Sequence, residues 1–233
     1  MFLMLIMTAA LQAQAQTPGA AAPIDLTGYW VSITGTIEWR YLMVTPPKGD
    51  FGSIPLNSAG QKLGKEWDPA RDQATGNQCK AYGAPGVMRM PGRLHITWEN
   101  GSTLRIDTSA GTQTRRLRFG PSQVPGGEPA SQGQSVAEWQ PSGGRAGIPA
   151  SGTLHVVTTR MRPGYIHKNG VPYGVNAVFT EYFNRISEPD AEYLVVTTIV
   201  EDPDYLQRAY IRNVHFKREP DSSKWSPAPC TVD

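Results

Sequence analysis

Cysteine is scarce in this chain: there are two, Cys79 and Cys230, among 233 residues. Neither has a second Cys or a His at ligand spacing, so no thiolate metal site can be read from them. Histidine is nearly as sparse. The four, His95, His155, His167 and His215, form no His-x-His or His-x-x-x-His pair, and no metal is expected. An excess of one charge is missing too. With 22 Lys and Arg against 20 Asp and Glu, the formal net charge is +2, which removes the electrostatic case for a nucleic acid partner. Arg115, Arg116 and Arg118 lie along a strand with no aromatic stacking platform beside them and read as a solvated edge. There is no phosphate-cradling Gly loop and no dinucleotide fingerprint, so no cofactor is expected. Gly133-x-Ser135 lacks both the following Gly and the strand-turn-helix setting of a nucleophile elbow.

Long apolar runs are also absent. The opening stretch, "MFLMLIMTAALQAQAQ", is apolar for about half of the roughly 20 residues a membrane span requires. It closes on the small-residue pattern Ala13-Gln14-Ala15, as a secretory signal does. Residues 1–15 are therefore expected to be a signal peptide. The mature chain would be exported, periplasmic or extracellular, with no integral membrane segment. In such a compartment two cysteines imply a Cys79–Cys230 disulfide that ties the C-terminal tail to the body.

What the sequence does hold is turns and alternation. It has 24 Gly and 20 Pro. A linker over 16–25 leads into strand-like runs at 26–33 and 37–44. Periodicity then fails from 46 to 86, apart from a short helix near 58–67 with Ser58 as its expected cap. Phe51, Leu56 and Trp67 give this long connection apolar anchors, and it reads as a covering loop. Asp68 and Asp72, in "WDPARDQATG", read as turn residues without calcium-loop spacing.

Three short strands follow over 93–119, joined by turns such as Asn100-Gly101. An irregular stretch over 120–152, broken by an apolar piece at 135–139, precedes further strands at 153–161, 176–186, 192–201 and 207–217. Asn169-Gly170 predicts a small hairpin tip over 165–173. The similar pieces "LHVVTTRMRPGY" and "LVVTTIVEDPDY" would flank the strand at 176–186 in a meander. Nine or ten strands without a long helix give an all-β barrel or sandwich, with residues 26–233 forming a single domain.

Gly28 and Trp30, in "DLTGYWVS", resemble the Gly-x-Trp first strand of lipocalins and streptavidin-like barrels. The resemblance implies a mainly antiparallel, lipocalin-like (calycin-type) barrel with long covering loops. A longer likeness runs from Cys79 to Tyr205. "CKAYGAPGVMRMPGRLHI", "GQSVAEW", "NGVPYGVNAVFTEYF" and "VVTTIVEDPDYL" resemble a widespread group of exported bacterial β-rich proteins, one that implies no particular activity. Tyr173 and Tyr182 depart from the His and Arg common at those places in that group.

Candidate chemistry rests on polar residues in strand rows. Glu181 shares a row with Phe179 and Phe183, and a bare carboxylate buried there would cost several kcal/mol. It is therefore either a general acid or base or the buried partner of an arginine such as Arg105 or Arg160. His95 is the preferred lumen histidine and the second catalytic candidate. Trp98, Arg105, Asp107, His155, Arg160, Tyr173 and Tyr182 are the expected ligand-lining residues. The expected function is binding of a small apolar or aromatic molecule in the barrel cavity. The alternative is a cofactor-free acid/base enzyme, an isomerase, cyclase or lyase, working in the same cavity. A third possibility is an interaction module with a packed core. Everything turns on which row of each strand faces in.

Overall fold

The computed structural model describes residues 16–33, 46–120, 127–143 and 151–232. The expected signal peptide, the strand expected at 37–44 and part of the irregular stretch at 120–152 lie outside these. In chain order the strands are β1 (Gly28–Ser32), β2 (Arg93–Asn100), β3 (Thr103–Thr108), β4 (Gln113–Phe119), β5 (Gln134–Ser142), β6 (Ser151–Thr159), β7 (Gly164–His167), β8 (Val171–Tyr173), β9 (Val178–Glu188), β10 (Ala191–Glu201) and β11 (Tyr210–Glu219). Nine of them close into a barrel in the order β1-β11-β10-β9-β6-β5-β4-β3-β2, while β7 and β8 form a separate hairpin. The chain is thus an all-β barrel. Among the described residues, every pairing between these strands is antiparallel except β4–β5, where Leu117 lies beside Ser135 in parallel register. The two VVTT strands, β6 and β10, do flank β9.

The apolar row faces in. Leu94 and Ile96 of β2 are buried, as are Leu104 and Ile106 of β3, and Leu154, Val156, Phe183, Val196 and Phe216 complete the same core. Burying each large apolar side chain contributes about 1.5–3 kcal/mol. The residues between them, His95, Arg105 and Asp107 among these, lie on the outer wall. Closure corrects one expectation: β4 is no edge, and Arg115, sharing its row with Leu117 and Phe119, is inside and only 1% exposed.

One end of the barrel is shut by rings. Phe119 packs between Trp98 at 5.4 Å and Trp139 at 5.7 Å between ring centroids. The stretch expected as a linker closes over them: the Trp139 indole N–H donates to the Pro18 carbonyl, and Ile24 and Leu26 enter the core. The opposite end is covered by residues 46–90. These hold α1 (Ser58–Glu66), α2 (Pro69–Ala74), a 3-10 turn (Lys80–Tyr82) and α3 (Ala84–Val87). The covering loop is anchored by Leu56, 3% exposed, with Phe51 packed beside it. Asn57 caps α1 in place of the expected Ser58, its side chain accepting from the Gly60 N–H at 2.9 Å. Asp68 caps α2, and Pro69 follows at the first helical position, where its missing N–H costs nothing.

The C-terminal tail climbs the outer wall from β11 to this covered end. Trp225 packs edge-on against Tyr29 and His95, Ala228 bridges to Ala110, and Cys230 is disulfide-bonded to Cys79. A cross-link closing a separation of 151 residues removes much of the unfolded chain's freedom.

Candidate functional site

Glu181 lies inside, fully buried, and its partner is Arg115, in place of the expected Arg105 or Arg160. Arg115 Nη1 donates to Oε1 at 2.8 Å, and Nη2 donates to Oε2. Since β4 and β9 are separated by β5 and β6 in the barrel wall, the bidentate pair crosses the lumen. Arg115 also sits 5.5 Å from the Phe179 ring. Above it Arg89, the residue after α3 and its cap, donates to Thr198 Oγ1 at 2.8 Å, and Ser135 and Thr158 share a hydrogen bond. Both oxygens of Glu181 are thus occupied in a site 0% exposed.

His95 does not accompany it. Its ring stacks on Tyr29 on the outer wall, centroids 4.1 Å apart, so the expected lumen histidine is an outer-wall one. Arg105 and Asp107 pair with each other there, and His155 stacks on Tyr182 while meeting Glu138. Trp98 belongs to the ring plug, and Arg160 donates to the Gly127 carbonyl. Of the expected lining residues, Tyr173 alone reaches a cleft described below. Among the described residues, no three His, Cys, Asp or Glu side chains gather as metal ligands would, and no helix is long and apolar enough to cross a membrane.

The cleft lies at the covered end, between the helical cover and the β7–β8 hairpin. It encloses about 250 Å³, and Trp67, Tyr165, Tyr173 and Tyr205 supply aromatic walls, with Leu63 at the lip. The hairpin turns at Asn169-Gly170, and Gly170, at φ +83°, lies against the Trp67 indole where a side chain would collide. Behind the wall stands Asp72, 5% exposed. Its Oδ2 accepts from Trp67 Nε1 at 3.0 Å and from the Tyr165 hydroxyl at 2.7 Å, and its Oδ1 from Lys80 Nζ at 3.2 Å. One carboxylate, on α2, therefore fixes two aromatic walls and one cation, from the C-cap of α1, β7 and the 3-10 turn. Burial, and then the hydrogen bond to Asp72, pushes the Tyr165 phenol well up. A smaller cleft of about 100 Å³ adjoins through Lys80, Pro163 and Tyr173, with Cys79 and Arg162 on its far side.

Sequence reasoning missed Asp72, Trp67, Lys80 and Tyr165. The available signal was a Trp five residues before an acid in a stretch otherwise made of turn formers. Comparison with family models, curated proteins and solved structures finds no match to this chain.

Proposed function

We propose that this is an exported protein that binds a small apolar or aromatic molecule, held in the rim cleft walled by Trp67, Tyr165, Tyr173 and Tyr205. The observation that carries this reading is the cleft itself: an open concavity with aromatic faces locked by a shared buried acid, ready to receive a flat ligand without reordering. The lumen offers less to a ligand, because Trp30, Phe179, Phe183 and Phe216 occupy it. An acid/base role for Glu181 is disfavoured by its pairing with Arg115, which leaves neither oxygen within reach of a substrate. Export is supported by the apolar, Ala-x-Ala-like opening and by the disulfide. Ligand-detected NMR with soluble two-ring aromatics tests the binding. Wild-type protein should give contact signals, and Leu63→Glu, which sets a charge at a lip position already 42% exposed, should weaken them several-fold without altering the melting temperature. Signals equal in both proteins, or absent from the wild type, would contradict the reading.

A further inference from the structure

Resting on that reading, we infer that the ligand is a planar aromatic carboxylate, recognised by the Lys80 ammonium and the Tyr173 hydroxyl. The side chain of Tyr173 is almost wholly enclosed, at 1% exposure, yet its hydroxyl has no hydrogen-bond partner among the described residues. The hydroxyl is not one of the fully enclosed polar atoms left without a partner, so it opens onto the cleft space and is free to donate to a molecule held there. The hydroxyl lies against Gly83 and Gly164, where a side chain on either would collide with it. Tyr173 lines both clefts, so it stands at their junction.

Lys80 lines both clefts as well. Its ammonium carries three donors, of which Asp72 takes one. Asp72 itself accepts from Trp67, Tyr165 and Lys80, is 5% exposed and lines neither cleft, so it is turned to these three donors and away from a ligand. Around the joined clefts stand Arg71, Lys80 and Arg162 against the single lining acid Glu66. Donors and positive charge along the lining call for an acceptor that bears negative charge. Two separate donors suit the two oxygens of a carboxylate, while Trp67, Tyr165 and Tyr205 suit the ring that carries it. Burial pushes the Tyr173 phenol up, which keeps it a donor at every ordinary pH.

Calorimetric titration with 2-naphthoate and its neutral counterpart 2-naphthamide tests the assignment on wild-type protein, Tyr173→Phe and Lys80→Gln. The wild type should hold the acid about ten-fold or more tighter than the amide, as hydrogen bonds to a charged group allow. Tyr173→Phe keeps the ring, so it should lose most of that preference while still binding the amide. Lys80→Gln also disturbs Asp72, and if it melts early Tyr173→Phe carries the test alone. Equal binding of acid and amide would overturn the carboxylate and leave the cleft as a neutral aromatic site. A preference that survives in Tyr173→Phe would overturn the hydroxyl's role. Binding of neither probe would remove the cleft reading and this inference together.

Discussion

At the end of the barrel where β2 turns into β3, Trp98, Phe119 and Trp139 pack as tilted rings, and the segment around Pro18 lies over them. At the other end, the lumen narrows onto Arg115, Glu181, Arg89 and Thr198, and the cover above carries a cleft organised by Asp72. Both ends exclude water, but by different physics. Ring packing needs no donor or acceptor and leaves no polar group over for recognition. A polar closure has to satisfy each donor and acceptor in a fixed direction. The same directionality holds Trp67, Tyr165 and Lys80 in place, and it is why the candidate site lies at the covered end.

The sharpest way to break the contrast is to unpair the polar end. Glu181→Gln leaves the Arg115 guanidinium buried without its counter-charge and should cost about 3–5 kcal/mol in denaturant unfolding. The double replacement Arg115→Met with Glu181→Leu should recover much of that loss, because well-packed apolar volume can substitute for a buried pair. Full stability in Glu181→Gln alone would mean that the pair is not desolvated as described.

Cutting the strap comes next. Cys79→Ser with Cys230→Ser should lower stability by about 2–4 kcal/mol. It should also open the tail after Glu219 to protease, since the non-covalent contacts of Trp225, Ala228 and Thr231 are then left to hold it. A tail that stays protected would shift the credit to those contacts.

The polar end should also respond to acid. His167, beside Tyr210, is pushed down to about 3, first by burial and then by the Arg89 and Arg212 charges. A folded value below the unfolded one, about 6.5, means that the unfolded chain binds the extra proton. The His167 contribution is therefore complete above pH 6.5 and is lost as pH falls from there towards 3, steepening to about 1.4 kcal/mol per pH unit. Asp202, raised chiefly by burial, works in the opposite direction, so the informative quantity is the difference from His167→Gln. That variant should show a shallower fall between pH 6.5 and 4, and parallel curves would refute the assignment.

The smallest effect belongs to the outer wall. Arg105→Gln removes the pairing with Asp107 at a half-exposed site and should change stability by no more than a few tenths of a kcal/mol.

Much of this barrel can be read from alternation alone. In β2 and β3 the apolar residues fall on every second position, and a strand that buries one face must show that period. Arg115 and Glu181 were half legible. Glu181 stands out between Phe179 and Phe183, whereas Arg115 was hidden by its neighbours Arg116 and Arg118, which made the run look solvated. Read by parity, Arg115 shares a row with Leu117 and Phe119 and is the natural partner for a carboxylate in the same predicament. The parallel β4–β5 pairing and the short helices α2 and α3 were not legible, because neither a connection's path nor a turn or two of helix leaves a period. The cleft was the least visible feature of all. Trp67, Lys80, Tyr165 and Tyr173 are scattered over more than a hundred positions, and only the tertiary fold brings them around one cleft.

Amide chemical-shift mapping of isotope-labelled protein titrated with 2-naphthoate separates a ligand held in the rim cleft from one held in the lumen. Binding in the cleft should shift the Trp67 indole N–H and the backbone amides of Lys80, Gly164 and Gly170, with β2 and β10 unchanged. Shifts concentrated instead at lumen residues such as Leu154, Val196 and Phe183 would contradict it.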